Sequence, residues 1–119
     1  MSQNQHIFFY ILKKNKLPTP IPEFKFIENR KFRADYAWPE YKILLEVEGG
    51  IWKKGGGAHS RPSNIMRDIE KYNLATLNGW RVYRTTPQKL TSAETIQAIK
   101  NLIIIHLLNN KHEQDKSTR

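Results

Sequence analysis

Cysteine is absent from this chain, so no disulfide framework, thiolate zinc site or cysteine nucleophile enters the account, and stability has to come from packing. Long apolar runs are missing as well. Nothing approaches the roughly 18 uninterrupted apolar residues of a membrane span, which sets the expectation of no membrane partner. The start Met1-Ser2-Gln3-Asn4-Gln5 is polar and lacks the charged and apolar regions of a signal peptide, which leads to the expectation of a cytoplasmic protein. Acidic residues are scarce relative to basic ones: 11 Asp and Glu stand against 20 Lys and Arg, a formal charge of +9. That balance favours a polyanionic partner such as nucleic acid. The glycines of Gly55-Gly56-Gly57 are not followed by Gly-Lys-Ser or Gly-Lys-Thr at P-loop spacing, so no ATP dependence is expected.

The 119 residues suffice for one compact core, expected over 1–109, with 110–119 as a disordered basic tail. Residues 6–12 form an apolar run read as a short helix, followed by an extended proline-rich linker over 17–22. From residue 23 the apolar positions recur every second residue. Phe24 and Phe26, then Phe32, Ala34, Tyr36 and Trp38, read as two strands, and residues 43–48 as a third that is apolar enough to be central. Residues 51–62 show no periodicity and read as a mobile loop. Ser63 is the expected cap of a helix that faces the sheet with Ile65, Ile69, Tyr72 and Thr76, and Gly79 supplies its left-handed stop. Residues 80–84 alternate as a fourth strand. Thr91 to Glu94 matches a capping box ahead of Ile96, Ile99, Ile103 and Leu107 on a last helix. Trp38, Trp52 and Trp80 are expected as core or rim anchors rather than base-stacking platforms. A strand, a helix and a parallel strand in succession imply a mixed sheet with helices on its faces.

The chemistry concentrates in the hairpin. With residues 39–42 as the turn and Trp38 opposite Ile43, Asp35 falls across from Glu46, and Glu48 shares their face. Three carboxylates together repel one another unless a cation or a rise in pKa neutralises them. A hard divalent ion answers this and suits phosphodiester hydrolysis. The competing reading pairs the acids with neighbouring basic residues, for example Glu46 or Glu48 with Arg33.

The runs Phe32-Arg33-Ala34-Asp35-Tyr36-Ala37-Trp38-Pro39-Glu40, Leu45-Glu46-Val47-Glu48-Gly49-Gly50 and Gly57-Ala58-His59-Ser60-Arg61 resemble the PD-(D/E)XK nucleases common in bacteriophage genomes. Further along, Arg67-Asp68-Ile69-Glu70-Lys71-Tyr72-Asn73 and Leu77-Asn78-Gly79-Trp80-Arg81-Val82 are similar to a helix and strand of very-short-patch repair endonucleases. The resemblance covers residues 23–90. It implies an α/β restriction-endonuclease-like fold, with a central mixed sheet of four or five strands flanked by helices. It also implies DNA cleavage in a bacterial or phage-infected cell, dependent on magnesium, for which manganese can substitute. Asp35 and Glu46 become metal ligands, with the Val47 carbonyl a third and Glu48 a further candidate.

One position departs from the pattern: the lysine expected two residues after the second acid is Glu48. Lys71, on the following helix, is the candidate to fill that role from another backbone position. His59 is implied as a catalytic histidine able to act as general base or acid near neutral pH. Asp68 and Glu70 are candidates for a supporting partner or metal ligand. Lys31, Arg33, Lys53, Lys54 and Arg61 are expected to contact backbone phosphates. The leading reading is a magnesium-dependent DNA endonuclease. A Holliday-junction or branched-DNA resolvase on the same fold, which would need a homodimer, and a non-catalytic nucleic-acid-binding protein stand as alternatives.

Overall fold

Alternation over residues 33–38 and the apolar run at 43–47 become the two central strands of a sheet. The computed structural model describes residues 2–49 and 62–117. In chain order its elements are α1 (Gln3–Lys14), β1 (Ile21–Lys25), β2 (Arg33–Trp38), a 3-10 turn at Pro39–Tyr41, β3 (Ile43–Val47), α2 (Pro62–Leu77), β4 (Arg81–Thr85) and α3 (Ala93–Ser117). The strand order is β1-β2-β3-β4, antiparallel across the first two pairings and parallel between β3 and β4. The described residues therefore form an α/β fold with a four-stranded mixed sheet and three helices.

The hairpin has the expected register, with Tyr36 opposite Leu45, Ala37 opposite Leu44 and Trp38 opposite Ile43. Lys42, in the left-handed region at φ 57°, closes the turn. The two sheet faces are packed differently. On one, α1 and α3 bury Phe8, Leu12, Ile96 and Ile99 against Tyr36, Trp38, Ile43 and Leu45. On the other, Ala75 of α2 meets Ala34, Ala37 and Leu44, and the three alanines let the helix approach the strands closely. That close approach positions the site.

Several boundaries differ from the sequence reading. β1 begins at Ile21, inside the proline segment; Pro22 is tolerated because β1 is an edge strand. α2 is described from Pro62, so Ser63 lies inside the helix and is not its cap. Ser92, not Thr91, caps α3, its hydroxyl accepting from the Thr95 amide at 3.2 Å. Helix α3 also continues through Ser117, where a disordered tail was expected from residue 110. Its exposed last turns include a bond between Asn110 and His106, one turn apart, at 3.1 Å.

The largest difference is the rotation of α2. Ile65 and Ile69, expected against the sheet, are 45% and 56% exposed, and Met66 and Leu77 are exposed with them. Asn64, Asp68, Lys71 and Tyr72 instead lie on the more buried side with Ala75. Periodicity alone misassigns this helix because ion pairs and hydrogen bonds to β3, not apolar burial, set its orientation. Trp38 is buried and donates to the Pro18 carbonyl at 2.7 Å. Trp80 packs on Phe24 and Phe26. Both are anchors, as expected. Trp52 and the loop expected at 51–62 fall, up to residue 61, outside the described residues.

Candidate active site

Asp35 and Glu46 stand where the ladder between β2 and β3 gives out. Tyr36 and Leu45 are the last backbone pair on that side, and one step further the side chains take over. Glu46 Oε1 accepts from the Asp35 amide at 3.1 Å, and Asp35 Oδ2 accepts from the Val47 amide at 2.7 Å. Each carboxylate is thus fixed to the backbone of the opposite strand, which holds the two acids side by side.

Glu46 is 7% exposed, the one buried carboxylate among the described residues. Burial pushes its pKa above the ordinary glutamate value, the Lys71 hydrogen bond and charge pull it back, and the Asp35 charge adds to the rise. Lys71 reaches down from α2 and places Nζ 2.8 Å from Glu46 Oε2. The neighbouring Tyr72 hydroxyl lies 3.3 Å from the same oxygen and 3.2 Å from Glu48 Oε1. Its single proton is shared between two carboxylates. Burial, and then the charges of Glu46 and Glu48, raise the Tyr72 pKa, so the hydroxyl stays a donor throughout the neutral range. Arg84 completes the chain of contacts: its Nε donates to Glu48 Oε1 at 2.9 Å, and its guanidinium lies 4.8 Å from the Tyr72 ring centre.

Asp35, Glu46, Val47 and Lys71, all singled out from the sequence, are therefore brought together. The expected cluster of three carboxylates is not. Among the described residues, no group of three or more acids or histidines is arranged to hold a metal ion. Parallel pairing sets Arg84 beside Glu46, and from there its side chain reaches Glu48. Among the described residues, the basic partners of Glu46 and Glu48 are Lys71 and Arg84, not Arg33. Glu70 is also displaced from the site, forming a surface ion pair with Arg30. Asp68 is half-buried and, with Lys31, Arg33 and Lys71, lines an open groove beside the site. His59, Lys53, Lys54 and Arg61 lie outside the described residues.

Two contributors were missed by sequence reasoning. Tyr72 reads as an apolar core position, and its hydroxyl becomes meaningful only once α2 is rotated. Arg84 carries little signal because its partner is set by a parallel register that residue spacing does not encode.

The donor set suits a hard divalent cation in two of its three acids. The Asp35 and Glu46 carboxylates and the Val47 carbonyl are oxygen donors of the kind magnesium and manganese take. A cation would relieve the build-up of negative charge that helps to raise the Glu46 pKa. Glu48, neutralised by Arg84, stands apart from that set.

No protein-family model matches the chain, and no curated protein matches it in sequence. Among solved structures it is similar to the catalytic domain of the homing endonuclease I-Bth0305I, with a TM-score of 0.62 at 15% identity. The match covers 89% of this chain and 98% of that one. At this identity the likeness is one of fold, and it extends over nearly the whole of the homing-endonuclease domain.

Proposed function

We propose that this protein is a divalent-metal-dependent endonuclease that hydrolyses DNA phosphodiester bonds, with Asp35, Glu46 and Lys71 at the point of cleavage. The observation that carries this reading is the docking of Lys71 onto Glu46 beside Asp35. It supplies an ammonium at the acid pair, although the strand itself carries Glu48 where the motif has lysine. The fold shared with an endonuclease catalytic domain supports the same reading.

Asp35, Glu46 and the Val47 carbonyl would hold magnesium or manganese, which when bound supplies Lewis acidity and charge neutralisation at the phosphate. Lys71 offsets the charge of Glu46 and offers N–H donors to a phosphate oxygen. Tyr72 ties Glu46 to Glu48, so the Glu48–Arg84 pair steadies the site from the β4 side. His59, assigned from the sequence resemblance, is the group proposed to move the proton between water, enzyme and leaving alcohol. The formal charge of +9 suits the polyanionic substrate.

The test is incubation of the purified protein with linear, nicked, branched and single-stranded DNA, with magnesium, manganese or a chelator. Cleavage is expected with either metal and not with chelator. Asp35→Asn and Glu46→Gln are expected to abolish it while binding DNA as tightly as wild type or more so, because each removes a charge that repels phosphate. Full activity in either purified variant overturns the assignment.

A further inference from the structure

An open groove leaves the active site at Lys71 and runs between α2 and the turn joining β1 to β2. The stretch nearest the site has a volume of about 340 Å3, and Lys31, Phe32, Arg33, Arg67, Asp68 and Lys71 contribute to its walls. It opens into a wider stretch of about 920 Å3 that shares Lys31, Phe32 and Arg67 and adds Met66 and Ile69. Lys31, Arg33 and Arg67 form no ion pair among the described residues, whereas Arg30, Lys71 and Arg84 do. Three uncompensated cations against the one carboxylate of Asp68 leave the inner groove positive.

Arg67 is also pre-ordered. Phe32 is 4% exposed and fixed in the fold, and the Arg30 and Arg67 guanidinium carbons lie 4.9 and 5.5 Å from its ring centre. Arg30 is occupied by Glu70. Among the described residues Arg67 is held by the ring alone, so its N–H donors are available to a ligand and less freedom is lost when one binds. On α2 it precedes Lys71 by four residues, one turn along the same face, a rise of about 6 Å. That is comparable to the distance between successive phosphates along one DNA strand.

We infer that Arg67, stacked on Phe32 and assisted by Lys31, is the subsite for the backbone phosphate adjacent to the one that Lys71 serves. The inference rests on the endonuclease reading for the role of Lys71. The groove thereby sets the direction in which the cut strand leaves the site, along α2 and past the β1–β2 turn. Its contacts grip the backbone and read no base.

The experiment separates this subsite from the cleavage reaction. In full-length protein carrying Asp35→Asn, fluorescence anisotropy follows the binding of labelled duplex and single-stranded oligonucleotides across a salt series. Arg67→Gln is expected to weaken binding about tenfold near 0.1 M salt and to reduce the slope of log affinity against log salt by about 1. Arg67→Lys should restore the slope but only part of the affinity, because ammonium cannot present the stacked fork. Arg81→Gln removes the same charge from the start of β4, outside the groove, and should leave the slope near that of the parent. Arg67 is exposed, so matching melting temperatures are expected to show that folding is intact. If Arg67→Gln and Arg81→Gln behave alike, the subsite is overturned even in a protein that cuts DNA. If no DNA is cut by the wild type while Arg67→Gln shows its specific loss, the endonuclease reading falls and Arg67 stands as a phosphate contact. Retained DNA affinity together with loss of a protein ligand from the Met66 and Ile69 end would also overturn the proposal.

Discussion

Lys71 Nζ lies 2.8 Å from Glu46 Oε2, joining residues 25 apart in sequence across the gap between a helix and a central strand. The contact places an ammonium beside the buried acid without using the strand position that Glu48 occupies. Lys71→Met is therefore expected to lower the single-turnover cleavage rate by roughly a hundredfold or more, the usual cost of losing one positioned donor at a reacting phosphate or carbonyl. Lys71→Arg should keep part of the rate. A near-wild-type rate in Lys71→Met would remove the lysine from the mechanism.

Glu46 and Glu48 are expected to differ sharply on substitution, despite lying two residues apart on one strand. Glu46 is buried beside Asp35, whereas Glu48 is neutralised by Arg84. Glu46→Gln should abolish cleavage, and Glu48→Gln should reduce it by less than tenfold and leave the magnesium concentration for half-maximal rate nearly unchanged. Equal losses in a metal titration of the two variants would return Glu48 to the ligand set.

The raised pKa of Glu46 has a consequence for stability, because the folded protein binds a proton there that the unfolded chain releases at lower pH. Its contribution is fully present below the unfolded pKa and is lost as pH rises through the folded one. Between about pH 4 and pH 7 the melting temperature of Glu46→Gln should therefore rise relative to wild type, since glutamine carries no buried charge. Thermal denaturation across that range reads the difference directly, and a wild type that gains on the variant with rising pH would contradict it.

Gly79 ends α2 at φ 84°, and a side chain there would meet no atom within 4 Å. Only backbone strain is at stake, so Gly79→Ala should cost about 1 kcal/mol in denaturant unfolding and leave cleavage intact. A loss of several kcal/mol would mean that the turn before β4 carries more than the cap.

The hairpin was legible because its information is local. Alternating residues on β2, the apolar run of β3 and a short turn between them leave one register that buries both apolar sets, and that register sets Asp35 opposite Glu46. The α/β class followed from the same patterning. The face that α2 turns to the sheet did not. Its apolar residues Ile65 and Ile69 are exposed, and the side toward the strands carries Lys71 and Tyr72, which meet carboxylate partners on β3.

Residue order alone thus decided which acids share a strand end and that a third acid, Glu48, follows two residues after Glu46. Tertiary structure decided which cation answers each acid: Lys71 for Glu46, Arg84 for Glu48, and none among the described residues for Asp35. The physical reason is range. Strand periodicity and hairpin register act over a few residues, whereas the rotation of a helix and the register of a parallel strand are settled only when distant segments compete to satisfy the same buried charge.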